Sequence, residues 1–118
     1  MVTERLIGIV GPCSAGKSTL AARLAKRGIY ARHIAQEHSF VPDMWVQITH
    51  PDILLFLDVS YEQAQLRRRQ NCTKADHLEQ YHRLRHAREH ADFYLDTDSL
   101  TPAEVEDEVL AFLSRFPS

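Results

Sequence analysis

The sequence is short of everything that would point away from a single folded unit. No apolar run approaches the length of a bilayer-spanning helix, and the first residues carry neither the apolar h-region nor the small-residue cleavage site of a secretory signal. The expectation is a cytoplasmic protein with no membrane partner. Cysteine is scarce: Cys13 and Cys72 are the only two. Their separation fits no local metal-binding spacing, and in a reducing compartment both should remain thiols. An excess of one charge is also missing, since 14 Lys and Arg face 16 Asp and Glu for a formal net charge of −2, which argues against a dedicated nucleic-acid binder. There is no internal repeat, linker or low-complexity tract. At 118 residues the chain has room for one core and none for a separate substrate domain.

What is present is one complete motif. Gly11-Pro12-Cys13-Ser14-Ala15-Gly16-Lys17-Ser18 matches G-x-x-x-x-G-K-[ST] throughout, the pattern of a phosphate-binding loop. Small residues let the backbone curl around an anion, so that successive N–H groups and the first turn of the next helix point at it. Gly16 can take backbone angles forbidden to other residues. Lys17 supplies a point charge for the β- and γ-phosphates, and the Ser18 hydroxyl, followed by Thr19, is placed to ligate a bridging Mg²⁺. The flanks agree with the motif: Leu6-Ile7-Gly8-Ile9-Val10 reads as a strand buried on both faces, and Leu20 and Leu24 lie at helical spacing. Cys13, beside a helix N-terminus and a lysine, is either a small tolerated loop residue or a thiol of lowered pKa open to redox control.

Taken in order, Arg27-Gly28 reads as a helix stop. A second strand is expected from Ile29 to Ala35, and its tail, Gln36-Glu37-His38-Ser39, should emerge at the same sheet edge as the loop. Glu37 is therefore the candidate acid, holding Mg²⁺ through water or taking a proton from an attacking hydroxyl; the plain alternative is a surface glutamate. A short helix is expected over Asp43 to Thr49, stopped by Pro51, with Trp45 packing in the core or, as the alternative, stacking on an acceptor base or sugar. Ile53 to Val59 is the clearest strand, apolar on both faces and so central. Asp58 falls at its end, as a supporting Mg²⁺ partner or a cap contact.

Ser60 with Gln63 starts a helix that runs through Arg67-Arg68-Arg69 to about Asn71. Helical geometry spreads those arginines over about 200° of arc, so at most two serve one site. Thr73 to Ala91 reads as a further helix, with Leu78, Tyr81 and Leu84 inward and Arg83, Arg85, Arg88, His82, His86 and His90 on other faces. The histidines recur every fourth residue, but no acid or cysteine completes a metal site among them. A last strand at Phe93 to Leu95 turns out through Asp96-Thr97-Asp98-Ser99. Thr101-Pro102-Ala103-Glu104 then opens a helix with Val105, Val109 and Phe112 inward and Glu104, Glu106, Asp107 and Glu108 toward solvent.

Alternating strands and helices predict an α/β fold of three layers, α/β/α, around a mainly parallel sheet of about four strands. At this point the chain resembles the nucleoside and nucleotide kinase branch of P-loop NTPases, which includes adenylate, thymidylate and shikimate kinases. The resemblance runs through the loop and its helix, Pro51 to Ser60, the Arg67-Arg68-Arg69 helix with the arginines after it, and Ala91 to Asp98. It implies one P-loop domain over 1–118 with an arginine-rich lid at about 67–90, from which Arg68, Arg69, Arg83 and Arg88 carry over. It also implies an adenine contact at the Asp96 to Ser99 turn, including Asp98. The helices that hold the acceptor in those kinases, and the strand that ends in their metal-binding acid, have no counterpart here. Glu37 is the replacement acid.

The functional expectation is a small Mg²⁺-ATP-dependent phosphotransferase. Gly11 to Thr19 with Arg68 and Asp98 would bind nucleotide, Lys17, Glu37, Arg68 and Arg69 would act in catalysis, and Ser18, Glu37 and Asp58 would serve the metal. The acceptor would be a small molecule, and a homodimer would let a second subunit complete its site. The alternative is a regulatory nucleotide-binding module or slow NTPase that works through a protein or RNA partner. A guanine-specific switch is disfavoured by the lack of an Asn-Lys-x-Asp tetrad.

Overall fold

The computed structural model describes residues 5–67 and 73–116. The order is β1 (Ile7–Val10), α1 (Lys17–Ala25), β2 (Ala31–His33), a 3₁₀ turn (Gln36–His38), α2 (Met44–Thr49) and β3 (Ile53–Asp58). It continues with α3 (Tyr61–Arg67), α4 (Lys74–Arg83), α5 (Arg85–His90), β4 (Phe93–Asp96) and α6 (Pro102–Arg115). The four strands form one sheet in the order β2-β1-β3-β4, and every pairing is parallel.

Strand alternation divides the core. Ile7, Ile9, Ile53, Leu55 and Leu57 pack with Leu20 and Leu24 of α1 and Val105 and Val109 of α6. Val10, Leu54 and Phe56 face the other way, against Trp45 of α2, Leu84 and Ala87. Successive strand residues point to opposite faces, so helices cover both sides of the sheet. That is why β3 is buried along its whole length and reads as an unbroken apolar run. No helix among the described residues is long and apolar enough to cross a membrane.

Local signals in the sequence are realised at both helix starts that carry a full capping box. Thr73 accepts from the Asp76 N–H and Thr101 from the Glu104 N–H, with each acid returning the bond. Four expectations change. β2 pairs over only three residues, because it is an edge strand whose sole neighbour ends at Val10; the chain turns away after the Ile34 N–H bonds the Ile9 carbonyl. The single helix expected over Thr73 to Ala91 is two, broken at Leu84, where ψ is −3°. Its buried face is also shifted: Leu78 is 58% exposed, while His77, Gln80, Leu84 and Ala87 are buried. Finally, Glu106 does not face solvent. It is buried and bonds both Arg23, at 2.6 Å, and Arg27, tying α6 to α1.

The order of strands sets the place of the site. The chain steps from β1 to β2 on one side and then returns past β1 to β3, so its direction reverses between β1 and β3. In open parallel sheets the crevice beyond the carboxyl ends of the strands at such a reversal is where ligands bind. Residues 11–16 leave β1 at that point.

Candidate functional site

The loop between β1 and α1 has a shape that only its own residue types permit. Gly11 lies so close to β3 that a β-carbon there would stand 2.0 Å from the Leu57 carbonyl oxygen. Ser14, at φ 72°, and Gly16, at φ 95°, then take left-handed backbone angles that fold the loop over. The Ala15 N–H closes the turn on the Pro12 carbonyl at 3.2 Å. Gly16 caps α1 without a side-chain bond, and no acid lies in the first turn. The positive end of α1 and its leading N–H groups therefore face the concavity of the loop.

Lys17, the first residue of α1, is only 8% exposed. Its ammonium donates to the Gly11 carbonyl at 2.7 Å, the Pro12 carbonyl at 3.1 Å and Oε2 of Glu37 at 2.8 Å. Glu37 is itself 4% exposed, so it is not a surface glutamate. Its other oxygen, Oε1, is buried with no hydrogen-bond partner among the described residues. A buried carboxylate oxygen left without a donor is costly, and such sites call for an unseen partner.

Glu37 is held there by its neighbours. Gln36, fully buried, donates to the carbonyls of Val41 and Arg83 and accepts from the Trp45 N–H. Arg83 reaches the Glu37 carbonyl at 3.5 Å, bonds Glu79 and lies over the Phe40 ring. On the loop side, the Cys13 N–H donates to Oε1 of Gln80 at 2.8 Å, so α4 fixes the loop from the other flank. The Cys13 thiol faces Glu37 and His38. A 370 Å³ cavity is walled by Cys13, Lys17, Ser18, His33, Glu37 and His38 among others.

A second cavity of 410 Å³ adjoins the loop on the α6 side, lined by Ser14, Gly16, Thr19, Arg67, Thr97 and Leu100 among others. Arg67 binds the Ser14 carbonyl and the Thr97 hydroxyl, each at 3.0 Å, and the Thr97 carbonyl at 2.5 Å. It thus clamps the loop to the turn after β4. Sequence reasoning favoured the next two arginines, but Arg68 and Arg69 lie outside the described residues. The pull of Arg67 toward that turn leaves no local trace in the sequence. Asp98 accepts from the Ser60 N–H at 2.7 Å and so joins the turn to the start of α3.

Asp58 sits where β3 ends, as expected, but its carboxylate accepts from the hydroxyls of Tyr81 and Tyr94 and from the Val59 N–H. Burial and the bond to Asp58 push the Tyr94 phenol up to about 12 and raise Tyr81 further above the ordinary value. The two tyrosines stay protonated donors, and Asp58 joins α4 and β4 to β3. Trp45 is a core residue whose indole donates to Nδ1 of His86 at 3.1 Å, and His86 stacks on His90 at 4.3 Å between centroids. The oxygen-bearing side chains that fit a hard cation are therefore those of Ser18 and Glu37, two residues that line one cavity.

Comparison with protein-family models and with curated proteins gives no match. The functional reading rests on this geometry.

Proposed function

We propose that the chain is a P-loop NTPase domain of the small-kinase type, transferring the γ-phosphoryl group of Mg²⁺-ATP to a small, nucleoside- or nucleotide-like acceptor. The single observation that carries this is the pairing of the folded loop over residues 11–16 with the buried Lys17–Glu37 ion pair at the carboxyl edge of a parallel sheet. A lysine whose ammonium rests on two loop carbonyls can exchange them for phosphate oxygens with little movement.

On this reading the triphosphate lies along Gly11 to Thr19, its charge met by loop N–H groups, the α1 terminus and Lys17. Arg67 holds the loop to Thr97 beside the 410 Å³ cavity, which suits the base and ribose. Arg68 and Arg69, next in the chain, are the arginines proposed for the leaving phosphoryl. Bound Mg²⁺ would supply charge neutralisation for the triphosphate. Ser18 and Glu37 are the residues that would hold it, while Asp58 is engaged by tyrosines. Glu37 also lines the 370 Å³ cavity, where an acceptor hydroxyl can meet a carboxylate able to take its proton.

A regulatory nucleotide-binding module is the competing reading, favoured by the short connection from β2 to β3, which holds only a 3₁₀ turn and the six-residue α2. One experiment separates them: γ-labelled ATP with Mg²⁺ and the protein, alone and with nucleosides, nucleoside monophosphates and small hydroxyl metabolites. Label on one acceptor is the expected result. Tight ATP binding without transfer would replace the kinase with the module, and no binding at all would remove both.

A further inference from the structure

Three ligand chemistries meet at the mouth of the loop from two separate stretches of chain. Sγ of Cys13 lies 3.5 Å from Nε2 of His38 and 3.9 Å from Oε2 of Glu37, and Nε2 of His38 lies 3.8 Å from the same oxygen. Among the described residues no other group of three His, Cys, Asp or Glu side chains gathers its ligand atoms in this way. A tetrahedral zinc ion, with Zn–S of about 2.3 Å and Zn–N or Zn–O of about 2.0–2.1 Å, sets its ligand atoms about 3.3–3.6 Å apart. The three atoms therefore stand within roughly 0.5 Å of one face of such a tetrahedron.

Glu37, 4% exposed, meets this cluster through Oε2, the oxygen that also accepts from the Lys17 ammonium at 2.8 Å, while its Oε1 is buried without a donor among the described residues. Charge is compatible as well. A divalent ion held by a thiolate and a carboxylate is neutral overall, and the Lys17 ammonium keeps the Gly11 and Pro12 carbonyls. Sulfur and imidazole select a thiophilic ion over Mg²⁺.

We propose that Cys13, Glu37 and His38 form a binding site for a thiophilic divalent cation of the zinc class, with its fourth position open to water. Binding forms the metal–sulfur bond as the Cys13 thiol gives up its proton to solvent, and no oxidant or reductant is involved. The site shares Glu37 with the chemistry proposed above, so an occupied site withholds that carboxylate from Mg²⁺ and from an acceptor. This last consequence, inhibition by zinc, rests on the proposed function; the metal site itself does not.

The test uses the full chain with both cysteines reduced, and Co²⁺ as the spectroscopic probe. The expected result is a sulfur-to-cobalt charge-transfer band in the near ultraviolet with intense visible bands of low-coordinate cobalt, all discharged by one equivalent of Zn²⁺. Cys13→Ser should abolish the charge-transfer band, and His38→Ala, at an exposed position, should weaken binding at least about tenfold. Cys72→Ser should leave the spectrum unchanged. Unaltered binding in Cys13→Ser and His38→Ala, loss of the band in Cys72→Ser, or only the faint bands of six-coordinate cobalt would overturn the site. ATP binding in Mg²⁺, measured by calorimetry with and without one equivalent of Zn²⁺, reads the overlap separately. Failure to bind ATP would sink the nucleotide reading while the cobalt spectrum still decided the metal site.

Discussion

Removing one charge of the Lys17–Glu37 pair should cost the fold about as much as removing both. The ammonium and carboxylate are 2.8 Å apart with side chains 8% and 5% exposed. At an effective dielectric of about 20, a pair at that distance attracts by roughly 6 kcal/mol, and desolvation of the two ions opposes most of it. A lone survivor loses the attraction and keeps its own burial penalty, so Lys17→Met or Glu37→Gln should each lose about 3–4 kcal/mol. In a domain whose whole stability is about 5–15 kcal/mol, that is a fall in melting temperature of roughly 10–15 °C. The double variant leaves no ion behind and should resemble either single one, not their sum. The coupling read from the cycle is then about 3–4 kcal/mol. Urea unfolding of the four proteins, with slopes that stay equal, measures it. Additive losses would refute the argument, because they would mean that each ion is solvated independently of the other.

Three further outcomes follow from single contacts. Gly11→Ala should cost about 3–5 kcal/mol, since its β-carbon meets a backbone carbonyl of the central strand and the new side chain is also strained at φ 154°. Gly16→Ala, with no atom within 4 Å of the added carbon, should cost only the backbone term of about 1–2 kcal/mol; thermal melts that rank the pair the other way would contradict the loop geometry. Tyr94 keeps its proton to about 12 in the fold against 10.0 for an ordinary phenol, so its contribution is whole below pH 10 and is lost as pH climbs toward 12. Tyrosinate absorbance should show a late step that Tyr94→Phe deletes; an unchanged titration would mean that the Asp58 bond is absent in solution. Glu106 is held below its ordinary value of 4.5 by hydrogen bonds from Arg27 and then Arg23, so its contribution is present above pH 4.5 and fades on acidification. Melting temperatures of Glu106→Gln should fall less steeply below that pH than those of the parent, and equal slopes would count against the pair of bonds.

Signals that are local in the chain were legible in advance, and contacts made at long range were not. The two capping boxes, the apolar run of β3 and the strand-loop-helix over residues 7–25 each declare themselves in a short continuous stretch. Glu37 was reachable by one more step, because parallel strands end at a common edge and its position follows β2. The inward face of α4 was misread because its deciding partners lie far off: Gln80 on the Cys13 N–H, and Tyr81 on Asp58. These turn the helix so that His77 and Gln80 are buried and Leu78 is not. Hydrophobic spacing alone cannot find a face chosen by polar bonds. Glu106 escaped for the same reason, since only the packing of α6 on α1 sets it between two arginines.

The same distinction explains how two acids at one sheet edge come to have different tasks. Asp58 ends the longest apolar strand and reads from the sequence as a supporting metal partner or a cap contact, yet two tyrosine hydroxyls and a backbone N–H occupy its lone pairs. A carboxylate so engaged must lose a structural bond before it can bind a ligand. Glu37 keeps an oxygen with no such bond to lose. Its placement depends in turn on Gln36, whose amide bonds three backbone groups, from Val41, Trp45 and Arg83. A short 3₁₀ turn, pinned by one buried amide, therefore does what the end of a long strand would otherwise do. The acid is delivered to the loop lysine by a connection, and the strand end is used to hold α4 and β4 in place.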